Sequence, residues 1–414
     1  NLHLPFWIIL PIGAGIANDP GFVEPVYYWD PVIAPGGMAF YAGGLFAAAC
    51  AHAGRSANPV PAAIDPDECV NCNWMMAGCR FDAKRSLLLN YLPGAVAHGA
   101  EIRPLHEVQH LSRTDDGGYR VHYRIVDGED YRVLHDSGTI DAKLVVLAAG
   151  AGATPVILQR SEATLGAMPP AVGRHLSGNG ERLNTAVFDE RRVAEVLGLD
   201  RGDGRAYGAN QIGKGPCVAS WDALDGDRPE YSRYSLEQLY FPPGLGTILA
   251  QVPDATGPSW FGLEKKELLR RWQSWLTIFT MSEDDIRDIL ERDGLAKVAP
   301  WTNDVVGAYT VHPLSSCRIG DDPQTSALDD RHELRNHPGI FVTDGSAVPG
   351  ALTVNPALTI AALAERAMPG IVRAARERGV DVTYHGSLRE GVAASTRPGG
   401  PVRATAGASG ATVS

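Results

Sequence analysis

The sequence predicts an α/β domain combined with a second domain of mixed strands and helices. Two segments, one around residue 150 and one from residue 340 onward, have the pattern of a strand, a turn and a helix, which is the unit of α/β folds. Between them lies a long stretch of mixed pattern, rich in aromatic residues and turns. The chain of 414 residues is too long for one ordinary core and long enough for two domains.

Composition excludes several functional classes. Hydrophobic residues make up 44% of the chain and charged residues 21%, which is ordinary for a globular protein. The net charge of −11 argues against a nucleic-acid partner, and no apolar run reaches the length of a transmembrane helix. Six cysteines are too few for a disulfide scaffold, so we expect a reducing compartment and a cytoplasmic location.

The first part of the chain is predicted to be irregular. Residues 1–83 include many Pro, Gly and aromatic residues and are expected to wrap the second domain. From Lys84 to about Ala100 the pattern favours a helix that is interrupted near Pro93.

Strands are predicted next. The stretches "GAEIRPLHEVQHL" and "YRVHYRIVDGEDYRVL" alternate in polarity, with a turn signal at Asp127–Gly128. The stretch "AKLVVLAAGAGATPVILQRS" then predicts a buried strand, a glycine turn and a helix. In the mixed stretch from about residue 170 to 302, we expect one long helix, roughly Leu263 to Phe279.

The second strand–turn–helix unit is "IFVTDGSAVPGALTVNPALTIAALAERA". A β-prone run ends on the turn signal Asp344–Gly345. Asn355 is a favoured N-cap and Pro356 a favoured first helical residue, so a helix is expected to begin there. Beyond it, residues 379–414 are of low complexity and predicted to be disordered.

Two glycine pairs resemble the loop that binds a dinucleotide's phosphates. The pair at Gly13 and Gly15 is followed by Pro20, which is incompatible with the helix that such a loop needs. The pair at Gly150 and Gly152 lies between a strand and a helix, but it lacks the third glycine. We interpret it as a turn close to a cofactor, not as the primary phosphate loop.

The cysteines at positions 69, 72 and 79 are closely spaced. Such spacing is compatible with an iron–sulfur or zinc site, or with a loop of unligated thiols. A fourth ligand is not evident, and Met75 stands where a ferredoxin-like run has a cysteine. We therefore predict that this cluster holds no metal.

Four motifs in order resemble one family. They are "CVNCNWMMAGCRFDAKRSLLLNYL", "LVVLAAGAGATPVILQRS", "TVHPLSSCRIG" and "IFVTDGSAVPGALTVNPALTIAALAER". Together they resemble the glucose–methanol–choline (GMC) oxidoreductases, and within them the branch of the bacterial cholesterol oxidases. The resemblance implies a Rossmann-like domain that binds flavin adenine dinucleotide (FAD), built from separated segments, and an α+β substrate domain.

The resemblance implies a division of the chain and a set of cofactor contacts. The expected parts are 1–83 in the substrate domain, 84–174 in the FAD domain, 175–330 as the substrate domain with the active-site histidine, 331–378 in the FAD domain, and the tail. The implied FAD contacts are Val108 on the adenine side, Gly150 at the turn, Asp344 and Gly345 near the ribityl group, and Asn355 and Pro356 at the flavin.

The front of the chain departs from the family pattern. Members of the family begin with a phosphate-binding strand, turn and helix, which we do not find in residues 1–60. We therefore expect a chain whose FAD domain is incomplete at its N-terminus, and which is unstable and binds flavin weakly.

Three residues are the candidates for catalysis. His312 in "TVHPLSS" and Asn355 match the family's active-site positions, and they would orient the hydroxyl of an alcohol. Glu237 in "SLEQLYFPPG" lies among apolar residues, which would raise its pKa toward that of a useful base. Structural roles remain open: a plain N-cap for Asn355, a structural histidine, and a surface carboxylate for Glu237.

The resemblance implies oxidation of an alcohol, sterol-like or otherwise bulky and apolar, to a carbonyl by hydride transfer to FAD. An alternative is a dehydrogenase of a polyol or sugar acid that uses an acceptor other than oxygen. A second alternative is a non-catalytic chain that binds no flavin. The electron acceptor cannot be read from these residues.

Overall fold

A computed structural model of the chain describes residues 58–59, 63–65, 67–69, 79–187, 219–222, 234–239, 266, 270, 275–282 and 310–382. The described strands are β1 (Asn58–Pro59), β2 (His106–Arg113), β3 (Tyr119–Val126), β4 (Leu134–Ala142), β5 (Val145–Leu147), β6 (Arg182–Val187), β7 (Ala219–Asp222), β8 (Tyr234–Leu239), β9 (Trp275–Ser282) and β10 (Ile340–Val342). The α-helices that lie wholly within the described residues are α1 (Tyr91–Ala97), α2 (Gly150–Leu165) and α3 (Ala357–Glu377), and short 3-10 helices cover Leu87–Leu89 and Gly345–Ala347. No helix among these residues is both long and apolar enough to span a bilayer.

A parallel pair of strands forms the centre of the α/β region. β5 and β10 pair in register, with Val146 opposite Phe341. The neighbours of Val146 and Phe341 in the two strands face a large buried cluster that also contains Leu158 of α2. These neighbours are Val145, Leu147, Ile340 and Val342. Val146 and Phe341 face the other way, toward Ile371 of α3. Parallel strands are typically buried on both faces, so the predicted α/β class is confirmed.

A three-stranded antiparallel sheet, in the order β2–β3–β4, lies beside this core. α2 covers its β2 edge: Leu111 N donates to Ser161 Oγ at 2.8 Å. In return, Thr164 Oγ1 donates to the carbonyl of Leu111 at 2.5 Å. Side chains of the helix thus satisfy backbone groups that an edge strand would otherwise expose.

The second region contains an antiparallel sheet in the order β1–β7–β8–β9–β6. In it, Glu237 of β8 lies between Ser220 of β7 and Phe279 of β9. The sheet therefore places Glu237 on an interior strand, with a neighbour on each side.

The predicted helix from Leu263 to Phe279 is wrong over its last five residues. Lys266 and Arg270 are helical, but Trp275–Ser282 is strand β9. This stretch, "WLTIFTMS", is rich in β-branched and aromatic residues, which suit a pleated surface. Pairing with β6 and β8 overrides the helical pattern that precedes it.

The helix predicted from Lys84 to Ala100 is shorter. α1 begins at Tyr91, so Pro93 is its third residue and does not interrupt it. The first N–H groups of a helix have no partner within the helix, so proline is tolerated there.

Other predicted elements are confirmed. The two alternating stretches form β2, β3 and β4, and the turn signal at Asp127–Gly128 lies between β3 and β4. The glycine turn starts α2 at Gly150. α3 starts at Ala357 with Pro356 as its cap residue, one position later than expected.

The two ends of the chain lie largely outside the described residues. This applies to residues 1–57, with Gly13 and Gly15, and to residues 383–414 of the predicted disordered tail. Val382, within the first residues of that predicted tail, is buried against α3. The division into domains stays a prediction.

Candidate active site

The N-terminus of α3 brings two of the predicted residues together. Asn355, just before the helix, donates through Nδ2 to both carboxylate oxygens of Glu237, at 2.8 and 3.0 Å. No described side chain caps the helix. The side-chain amide of Asn355 therefore donates to Glu237 and does not cap α3. The first backbone N–H groups of α3 and the positive end of its dipole therefore lie beside a buried carboxylate.

The loop before Asn355 is held by two polar side chains. Asn179 Oδ1 accepts from Leu352 N and Thr353 N at 2.8 and 2.9 Å, and its Nδ2 donates to the carbonyl of Val354 at 2.9 Å. Ser235 Oγ on β8 donates to the carbonyl of Thr353 at 2.6 Å. The same strand thus carries Glu237 and fixes the loop that presents Asn355 to it.

Glu237 is buried, with 4% of its surface exposed. Burial raises its pKa above the ordinary value of 4.5, because the charged form loses its hydration. The hydrogen bond from Asn355 and the nearby His312 oppose this rise in pKa, whereas the nearby Glu181 adds to it. The structure therefore excludes the surface-carboxylate interpretation of Glu237.

His312 is held by a carboxylate that sequence reasoning missed. Its Nδ1 contacts Glu181 Oε1, and the side chain of Glu181 is 1% exposed. The other oxygen of Glu181 accepts from Val311 N at 2.7 Å. Glu181 immediately precedes β6, and its sequence context carries no signal of this role because its partners lie 130 residues away.

A second polar cluster surrounds Asp344. Its Oδ2 accepts from Gly150 N at 2.8 Å and Thr154 Oγ1 at 2.5 Å. Its Oδ1 accepts from the backbone and the hydroxyl of Ser346 at 2.8 and 2.5 Å. Asp344 thus joins the strand end of β10 to the N-terminus of α2.

The loop that carries His312 packs on this cluster. A Cβ added to Gly345 would lie 3.1 Å from the carbonyl oxygen of Pro313, so a larger residue would push the loop away. Pro155 of α2 has no N–H for the carbonyl of Ala151, and Ser316 Oγ donates to that carbonyl at 2.6 Å. The loop of His312 is thereby attached to both the turn and α2.

Val108 lies apart from these two clusters. It is a buried residue of β2, paired with Tyr123, and the register of the sheet shifts just after it. Its predicted contact with the adenine side of FAD stays a prediction, as do the FAD contacts of Gly150, Asp344, Gly345, Asn355 and Pro356.

The cysteine cluster is described only in part. Cys69 and Cys79 carry no disulfide within the described residues, and Cys72 lies outside them. The part of the chain that the structure describes contains no group of three potential metal ligands. The absence of a metal stays a prediction.

The described residues fit the flavin end of the implied cofactor. The start of α3 offers backbone N–H groups that no described side chain caps. Gly150 has a φ of +80°, and a Cβ there would meet no atom within 4 Å, so the backbone at the start of α2 borders open space. Neither feature indicates which residues would bind the two phosphates of FAD.

Comparison with known proteins identifies relatives. Two family models described as GMC oxidoreductase match residues 40–179 and 283–364. A cholesterol oxidase of Mycobacterium tuberculosis is 28% identical over 344 residues, covering 72% of this chain and 58% of the relative. The chain thus spans less than two thirds of that protein's length.

Two further matches are more limited. A 2-methyl-1,2-propanediol dehydrogenase of Mycolicibacterium austroafricanum is 41% identical over 56 residues, 14% of this chain and 10% of the relative. A solved FAD-dependent oxidoreductase from Chaetomium thermophilum is 14% identical, with a TM-score of 0.39 over 73% of this chain and 65% of that one. The two family models together match more than half of the residues, and the chain belongs to the GMC oxidoreductase family.

Proposed function

We propose that this chain carries the catalytic centre of an FAD-dependent enzyme that oxidises the CH–OH group of an alcohol to a carbonyl. The observation that carries the proposal is the convergence of Glu237, His312 and Asn355 at the N-terminus of α3. The family membership supports FAD as the cofactor. When bound, FAD would accept the hydride that the alcohol loses.

The chain would hold FAD through groups at both helix N-termini. The N–H groups at the start of α3 would favour negative charge on the flavin. The turn formed by Gly150, Asp344 and Gly345 would face the ribityl side. Asp344 accepts from Gly150 and Thr154 at the start of α2 and from Ser346 after the turn, so its main contribution would be to fix this turn.

The three catalytic candidates would have two roles toward the substrate hydroxyl, orientation and removal of its proton. His312 and Asn355 would orient the hydroxyl, since both carry polar side-chain atoms next to Glu237. The proton that the hydroxyl loses would end on the carboxylate of Glu237. Because burial raises the pKa of Glu237, this carboxylate is a stronger base than an exposed glutamate.

A sterol-like alcohol is the leading substrate class, supported by the similarity to cholesterol oxidase over most of this chain. A dehydrogenase acting on a small diol is the second candidate, supported by the short but closer match to the propanediol dehydrogenase. The two candidates differ in substrate size and polarity, so a direct test separates them.

The test uses the purified chain with FAD kept in excess, because this chain is expected to bind flavin weakly. We expect cholesterol, added anaerobically, to bleach the visible flavin absorbance, and 2-methyl-1,2-propanediol to do so more slowly. Faster bleaching by the diol would favour the second candidate. A sample whose flavin neither alcohol bleaches would contradict the proposal. Re-admitting air to a bleached sample then shows whether oxygen is an acceptor.

A further inference from the structure

Glu181 is as deeply buried as Glu237, each with 4% of its surface exposed, and the proposed mechanism does not use it. Its side chain is 1% exposed, whereas that of His312 is 19% exposed. A buried carboxylate needs partners that compensate for its lost hydration. Glu181 has two of them on adjacent residues, Val311 N and His312 Nδ1.

These two contacts fix both the backbone and the ring of the histidine segment. The bond from Val311 N, at 2.7 Å, holds the chain just before His312. The contact with Nδ1 then sets the rotation of the ring. Thr310 Oγ1 accepts from His312 N at 2.9 Å, which adds a third restraint to the same segment.

The pairing of Nδ1 with a carboxylate oxygen of Glu181 also favours one position for the proton of the ring. A carboxylate can only accept, so the neutral ring facing it carries its hydrogen on Nδ1. Nε2 then presents a lone pair. An alcohol hydroxyl has one hydrogen to donate, and a ring nitrogen with a lone pair can accept it.

We propose that Glu181 is a positioning residue, which fixes the ring of His312 with its proton on Nδ1 so that Nε2 accepts the hydrogen of the substrate hydroxyl. This inference rests on the proposed function, and it assigns the direction of the first hydrogen bond. When the O–H bond breaks, the proton moves to Nε2, and Glu181 balances the charge of the protonated ring. Glu237 then takes the proton from the ring.

Glu181→Gln is the informative variant. The carbonyl oxygen of the amide can still accept from Val311 N, but its NH₂ group would donate toward Nδ1 of His312 and favour the opposite tautomer. A carboxylate that orients a catalytic histidine is sensitive to this change.

The first measurement needs neither flavin nor activity. ¹⁵N-labelled histidine in the purified chain reports which ring nitrogen is protonated, and His312→Gln identifies the signals of that ring. We expect His312 to carry its proton on Nδ1 in the unmodified chain and on Nε2 in Glu181→Gln. An Nε2–H ring in the unmodified chain overturns the proposal, even if every Glu181 variant fails to fold.

The second measurement is kinetic, with cholesterol as the probe. We expect Glu181→Gln to lower kcat by about 10²-fold with little change in KM, because the ring is misoriented while substrate contacts remain. Glu181→Asp, which keeps the charge, should restore part of this loss. A kcat within about threefold of the unmodified value would overturn the proposal.

Glu333→Gln is the matched control. Glu333 is also a mostly buried carboxylate that accepts from a backbone N–H, that of Gly339 at 2.8 Å, but it does not contact His312. We expect this control to leave kcat and the His312 tautomer unchanged, and equal losses in both variants would count against a specific role. If the unmodified chain oxidises no alcohol, the proposed function fails while the tautomer measurement still decides the role of Glu181.

Discussion

Two buried carboxylates, Asp344 and Glu237, lie in contrasting surroundings. Asp344 accepts four hydrogen bonds, from the backbone of Gly150, the hydroxyl of Thr154 and both donors of Ser346. Among the described residues, Glu237 accepts from the amide of Asn355 alone, and burial raises its pKa. Four described donors compensate for the lost hydration of Asp344, whereas burial still raises the pKa of Glu237 despite its amide partner.

This difference indicates a structural role for Asp344 and a chemical role for Glu237. A carboxylate with a full set of donors joins elements of the fold. A buried carboxylate with few donors binds a proton more readily, which is the property that a general base needs.

The largest effect is expected at the proton-handling site. His312→Ala should lower alcohol oxidation by about 10³-fold and leave bound flavin unchanged, because the ring acts on the substrate hydroxyl. Steady-state kinetics and the visible spectrum measure the two quantities. His135→Ala is the control, since His135 is exposed and pairs with Asp127 in a surface turn. A kcat within about threefold of the unmodified value would remove His312 from the mechanism.

Glu237→Gln should lower kcat by about 10²-fold at its optimal pH. In the unmodified protein, activity should fall as the pH drops through a pKa above 4.5, because protonation removes the base. The Gln variant should lack this acid limb. Folding raises this pKa, so ionised Glu237 costs stability above it, and the variant should unfold at a higher denaturant concentration at neutral pH. An unchanged pH–rate profile would contradict the role of Glu237.

Asp344→Ala should lower the stability of the protein, whereas Glu237→Gln should raise it. We expect the free energy of unfolding to fall by about 3 kcal/mol, because buried donors at Gly150, Thr154 and Ser346 lose their acceptor. Urea denaturation measures the change. Asp322→Ala, which removes an exposed acceptor of Gln324 N, should cost about 1 kcal/mol. Equal losses of stability in the two variants would show that the Asp344 cluster contributes no more than an exposed turn.

The smallest effect is expected at Ser235. Ser235→Ala removes the bond to the carbonyl of Thr353 and should cost about 1 kcal/mol of stability. Because that loop presents Asn355, kcat should fall a few-fold while flavin binding is kept. Ser316→Ala, which removes the bond to Ala151 of α2, is the comparison. If only Ser316→Ala lowers kcat, the loop before Asn355 is not the limiting restraint.

Local patterns predicted much of the α/β region. The strand at Ile340, the turn at Asp344 and the helix after Pro356 follow from short-range signals, namely β-branched residues, an Asp–Gly pair and an Asn–Pro start. The catalytic candidates His312 and Asn355 came from the resemblance to a family, and the structure brings them together with Glu237.

Features that depend on distant partners were not predictable in this way. Glu181 has no local signal, because its role arises from contacts with Val311 and His312 across the fold. The first five residues of the strand Trp275–Ser282 fall in the predicted helix, because the strand partners that override the helical pattern lie elsewhere in the chain. Tertiary context overrides local propensity at such positions.

The parallel pairing of β5 with β10 has a consequence for biosynthesis. Val145 pairs with Ile340, so the two partners are far apart in sequence. At a translation rate of roughly 5–20 residues per second, the second strand leaves the ribosome some tens of seconds after the first. During that interval the apolar residues around Val145 are exposed, because their partner strand has not yet been synthesised. Long-range pairing of this kind is slow and exposed to aggregation, so we expect the yield of folded chain to depend on chaperones that shield this nascent strand.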